Sequence, residues 1–97
     1  MTPPTLPATR DGRIALAART IASCLGPDDQ VDPAHERELG DPGVIVFRAL
    51  TPSWTEGCEL CEAAADALTA EGLTPWTRRR MVDQGCRVEI RVPVGVP

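Results

Sequence analysis

The stretch TPSWTEGCELCEAAADALTAEG, residues 51 to 72, decides how the rest of the chain is read. If it is a helix, the short apolar runs on either side become strands and the chain is a mixed α and β domain. Ser53, followed three residues later by Glu56, has the spacing of a capping box, which satisfies free N–H groups where a helix begins. Gly72 ends the pattern. A helix from Trp54 to about Glu71 follows. Successive residues turn by about 100°, so Glu59, Glu62, Asp66 and Thr69 gather on a side that must face water. Leu60, Cys61, Ala64 and Leu68 lie opposite, and Cys58 falls toward the border of the buried side.

Working outward, VIVFRAL (44–50) is short, β-branched and bounded by DPG and TP, which predicts a strand. Downstream, PWTRRRMV (75–82) and CRVEIRV (86–92) predict two strands joined by DQG as a hairpin, with Gln84-Gly85 as the two-residue turn. Upstream, Ile14, Ala18, Ile21 and Leu25 recur at helical spacing over Asp11–Leu25. Gly26-Pro27 then predicts a stop, with Gly26 as a left-handed cap. The polar segment 26–43 predicts a connector with one helical turn around Ala34–Leu39. Residues 1–10 form an expected flexible proline-rich tail and residues 94–97 a loose C-terminus. The expected architecture is a single α+β domain over 11–93, ordered α-β-α-β-β. It is a three-stranded, at least partly antiparallel sheet packed by two helices.

Ninety-seven residues allow one modest core. An apolar fraction of 42% and a net charge of only −4 exclude a disordered chain. With Phe47, Trp54 and Trp76 the only aromatic residues, that core is made mainly of Ala, Val, Leu and Ile. All ten basic residues are arginine, a usage that points to a high-GC bacterial or phage genome. No apolar run approaches the roughly 18 to 20 residues that span a bilayer, and the N-terminus lacks a signal-peptide pattern. A cytoplasmic protein with no membrane partner is expected, its four cysteines reduced.

The cysteines are spaced C-x33-C-x2-C-x24-C, which matches no zinc pattern. Cys61 reads as a core residue and Cys58 as a boundary one, both in the early turns of the helix. Buried cysteine commonly serves as a small hydrophobe, and that reading leads. Two alternatives stand beside it. An exposed thiol with a resolving neighbour suits redox exchange, and a pair of sulfurs suits a soft metal, Cu(I) or Zn. Residues 44–71, with strand, CxxC and helix, resemble the opening of a thioredoxin or glutaredoxin active site, which implies disulfide exchange. Residues 44–93 are similar in layout to heavy-metal-associated domains such as copper chaperones. That resemblance implies Cu(I) bound by Cys58 and Cys61, although TEG stands where that family has a methionine.

The hairpin carries the second candidate site. With Gln84-Gly85 as the turn, Arg80 falls opposite Glu89 and Arg78 opposite Arg91. Met81, Cys86, Val88, Ile90 and Val92 share one face. Arg78, Arg80, Val82, Arg87, Glu89 and Arg91 share the other, joined by Arg48, Val44 and Val46 from the first strand. Arg79 is then forced inward. Five arginines (Arg48, Arg78, Arg80, Arg87 and Arg91) against one glutamate suit a carboxylate-rich partner. Net negative charge and the lack of stacking aromatics on that face argue against nucleic acid. A homodimer through the face would need acidic residues to offset the arginines.

His35, among Asp32, Glu36 and Glu38, reads as a solvated loop residue. No phosphate loop, nucleophile elbow or zincin motif is present. The expected function is therefore a small non-catalytic binding or accessory module without a cofactor. It would engage a protein partner through the arginine face or a sheet edge.

Overall fold

The structure is a computed structural model that describes residues 6–36 and 43–96, with side-chain surroundings for 6–31 and 43–96. Its elements are α1 (Arg10–Cys24), β1 (Gln30–Glu36), β2 (Val44–Thr51), α2 (Trp54–Ala70), β3 (Trp76–Val82) and β4 (Gly85–Pro93). The expected capping box forms at α2: the Glu56 N–H donates to Ser53 Oγ at 3.2 Å, and Ser53 Oγ donates to Glu56 Oε2 at 3.0 Å. At the other end Gly72 takes φ +89. The N–H groups of Gly72 and Leu73 donate to the Thr69 and Leu68 carbonyls, the paired bonds of a Schellman stop.

α1 is capped by Thr9, whose Oγ1 accepts from the Gly12 N–H at 3.0 Å. It ends one residue earlier than expected and without the left-handed Gly26. Leu25 leaves in extended conformation, φ −73 and ψ 138, and Asp29 then ties the turn through the Gly26 N–H at 2.8 Å. Its buried stripe runs through Ala17 and Ile21, while Ala18 is exposed.

The sheet has four strands, not three, in the order β1-β2-β4-β3, with every neighbouring pair antiparallel. The added strand is β1, in the segment expected to be a connector. Residues 34–36 of the expected helical turn belong to this strand, His35 among them, and 37–39 lie outside the described residues. β1 pairs with β2 from Gln30↔Leu50 to Glu36↔Val46, and the register shifts between Asp32 and Glu36, where Pro33 stands. Proline cannot donate to a ladder, so edge strands and bulges are its places in a sheet.

β2 and β3 run in the same direction, joined by α2, and β4 is inserted between them. With α1 and β1 counted after β4, the order becomes β-α-β-β-α-β, that of the ferredoxin-like split arrangement. The chain enters it at the second helix. Layout alone carries no function.

Alternation along the central strands separates two faces. Ile45, Phe47 and Ala49 of β2 and Cys86, Val88, Ile90 and Val92 of β4 pack against Leu60, Ala64 and Leu68 of α2 and Ala17 and Ile21 of α1. Val94 belongs to this core, fully buried, and its N–H donates to Gly43 O at 2.7 Å. Arg13 reaches both chain ends, donating through Nε to Pro7 O and through Nη1 to Gly95 O, each at 2.9 Å. The segments expected to be a flexible tail and a loose C-terminus are thus tied at Pro7 and at Val94–Gly95.

The hairpin turn lies one residue earlier than expected, at Asp83-Gln84, closed by the pair Val82↔Gly85. Gly85 cannot serve in the turn because β4 needs it at φ +145, where a Cβ would run into the Thr51 carbonyl. The partners therefore shift by two residues, to Arg78↔Glu89, Arg80↔Arg87 and Met81↔Cys86. A shift of two leaves the faces unchanged, whereas a shift of one would have exchanged them.

Gly57 brings the first turns of α2 onto β4. A Cβ there would sit 2.5 Å from Cys86 Sγ and 3.2 Å from Thr51 Oγ1. Gly57→Ala gains about 1 kcal/mol of helix propensity, yet overpacking costs about 1–3 kcal/mol. A net loss of stability is expected in urea unfolding. In a Cys86→Ala background, which removes the nearest atom, the same substitution should cost distinctly less.

Candidate functional site

Two sites lie on opposite sides of β3. On the helix-free side, Arg48, Arg78 and Arg91 converge on Glu89, at 3.7, 3.9 and 3.1 Å. The two-residue register shift places Arg78 directly across from this glutamate, removing the expected opposition to Arg91. Arg80 and Arg87 face each other across the hairpin instead, both exposed, and among the described residues no carboxylate lies within ion-pair distance of either. A depression of about 100 Å³ opens between Arg48, Arg78, Arg80, Arg87 and Glu89. Beside it a wider hollow of about 650 Å³ is bordered by Gln30, Leu50, Gln84, Arg48 and Arg87. The backbone register sets Asp32 of β1 across from Arg48.

All five arginines expected on this face are there, but its apolar part differs. Val46 is buried, and Val44 and Val82 are half-buried, so the valines do not form an exposed apolar patch. The face also has an aromatic residue that the sequence reading left out. Trp76 pairs in register with Arg91 and is 52% exposed, with the Arg91 guanidinium 5.1 Å from its ring centre. Its place follows from the same parity that placed Arg78 and Arg80.

On the helix side of β3 the odd member of the arginine run makes the second site. Arg79 was expected to be a buried misfit. Because β3 is an edge strand, its side chain instead leaves the core sideways and lies over Trp54 at the start of α2, 4.8 Å from the ring centre. The guanidinium lies within charge contact and hydrogen-bonding reach of both Cys58 and Cys61, with its N–H groups as the donors. Cys58 is half-buried and Cys61 buried, as the helical projection predicts. Burial pushes the Cys61 thiol above its ordinary pKa, against the opposing pull of Arg79 and Thr77. Partial desolvation works against the charge on Arg79, but the negative charge that Cys58 and Cys61 can present outweighs it and raises the guanidinium's pKa.

The fold also brings Cys86 of β4 near Cys61, a neighbour that sequence spacing does not reveal. Cys24 stays apart at the end of α1, its thiol donating to Thr20 O at 3.3 Å. All four cysteines are free. Among the described residues no group of three or more His, Cys, Asp or Glu side chains converges so as to hold a metal ion. No described helix is long and apolar enough to cross a membrane. Comparison with protein-family models, curated proteins and solved structures finds no match.

Two outcomes follow. Glu89→Gln leaves three arginines without their shared carboxylate and should lower stability by about 1–2 kcal/mol, a loss that shrinks in high salt. Above its ordinary value of 9.0 the unfolded chain gives up the Cys61 proton while the folded chain keeps it. Stability is therefore full below that pH and falls as pH rises toward the folded pKa. Urea midpoints measured from about pH 8 to about pH 10.5 should decline, with a shallower slope in Cys61→Ala.

Proposed function

We propose that this domain is a non-catalytic binding module whose open sheet face docks on an acidic surface of a protein partner. The observation that carries this reading is the pair Arg80 and Arg87, exposed and in register, with no carboxylate within ion-pair distance among the residues whose side chains are described. Glu89 offsets charge for Arg48, Arg78 and Arg91 and holds them in place. Arg80 and Arg87 are left to meet a carboxylate from outside. A guanidinium offers a planar, two-pronged donor suited to that ion, and an adjacent depression gives a carboxylate side chain somewhere to enter.

The burial of Val46 makes charge, rather than apolar area, the main source of recognition. Such an interface is steered electrostatically and is sensitive to salt. A symmetric homodimer through this face would set arginine against arginine, which favours a partner of different surface. The reading requires no cofactor.

The test uses fluorescence anisotropy with a labelled peptide rich in glutamate and aspartate, at about 50 mM salt and again near physiological ionic strength. Arg80→Glu and Arg87→Glu, both exposed, should keep the fold by circular dichroism while weakening binding at least roughly tenfold. Unchanged binding in both variants overturns the proposal. Tighter binding of a single-stranded oligonucleotide, with Trp76 fluorescence quenched by stacked bases, would replace the protein partner with nucleic acid.

A further inference from the structure

We propose that Cys58 and Cys61 are a reversible dithiol–disulfide pair that reacts with disulfide substrates, with the Arg79 guanidinium stationed beside both sulfurs. The site is independent of the open sheet face, since Arg79 points to the opposite side of β3 from Arg78 and Arg80.

Three observations join here. Residues three apart in a regular helix have Cα atoms about 5 Å apart, inside the roughly 4.4–6.8 Å that a disulfide bridges. The two sulfurs differ in access: Cys58 is half-buried and Cys61 is 3% exposed, so an incoming disulfide reaches Cys58 first. The guanidinium in charge contact with both is held in place by the Trp54 ring. A cation beside a sulfur favours its thiolate, the form that attacks. Cys86, fully buried, offers no route to a bulky substrate.

The chemistry balances without a metal or cofactor. The Cys58 thiolate attacks one sulfur of a low-molecular-weight disulfide. That S–S bond breaks, one half leaves as a thiolate, and the other remains bonded to Cys58. Cys61 gives its proton to solvent and attacks the Cys58 sulfur, forming the Cys58–Cys61 bond and expelling the second half as a thiolate. Two protein thiols lose two electrons, and one substrate disulfide becomes two thiols. The mixed disulfide at Cys58 is the intermediate to seek.

The experiment equilibrates the full chain with oxidised and reduced glutathione over a range of ratios, then alkylates the remaining thiols and maps them by mass spectrometry. Cys58 and Cys61 should be lost from alkylation together in one transition while Cys24 and Cys86 stay free. Cys61→Ser should accumulate a stable glutathione adduct on Cys58. Arg79→Gln, folded by circular dichroism, should slow adduct formation at neutral pH by roughly three- to tenfold. An adduct on Cys58 that Cys61 never displaces, a Cys61–Cys86 bond, or four thiols alkylated at every ratio would each overturn the proposal. So would Cu(I) held by the reduced pair tightly enough to block glutathione, which would make it a soft-metal site. An unchanged rate in Arg79→Gln would remove Arg79 from the mechanism.

Discussion

At Gly57 the start of α2 lies so near β4 that a Cβ would run into Cys86 and Thr51, and the placement of the thiol site depends on this approach. Thr51 is fully buried, with its hydroxyl facing the Ser53 carbonyl at 2.9 Å and the Cys86 carbonyl at 3.3 Å. One side chain therefore ties together the end of β2, the cap of α2 and the start of β4. A buried hydroxyl without such partners would carry a desolvation cost, so the three elements meet here or none of them fits. With the start of α2 pinned to β4, Trp54, Cys58 and Cys61 face the strand beyond it, and Arg79 finds its ring and its thiols.

Much of this was legible in the sequence because it rests on local rules. The Ser53/Glu56 box and Gly72 mark both ends of α2 to within a residue. Alternation in VIVFRAL and CRVEIRV places Ile45, Phe47, Val88 and Ile90 in the core and Arg48, Arg87 and Arg91 outside it. What escaped depends on distant partners. QVDPAHE has the proline and polar content of a loop, and it becomes β1 through its backbone pairing with β2 at a sheet edge, where proline is tolerated. The hairpin register was missed because Gly85 looks like a turn residue. Its true constraint is the Thr51 carbonyl, which no local pattern announces. The arginine face was found residue by residue, but its geometry around Glu89 waited on that register. Of the thiol cluster, Cys58 and Cys61 were visible. Arg79 was seen and misjudged, because being inward on an edge strand is a different environment from being inward on a central one.

The arginine triplet in β3 shows how a strand divides one charged run into two tasks. Its period of two sends Arg78 and Arg80 to the open side and Arg79 to the thiols. Three cations on the strand also keep this unpaired edge from pairing with another copy, a familiar protection for exposed edges. The opposite edge, β1, carries its proline for the same structural reason. Neither site therefore had to be built on a separate loop, since both use side chains of a strand that already needs charge.

The last strand in sequence order stands inside the sheet. β4 lies between β2 and β3 and pairs with both, while β1 joins the sheet through β2 alone. Local opening at β1 leaves the pairing of β2, β4 and β3 intact, whereas β4 cannot come away without releasing β3 and uncovering Cys86. Amide exchange in β4 is thereby tied to opening of the domain as a whole, and exchange in β1 is free to run ahead of it.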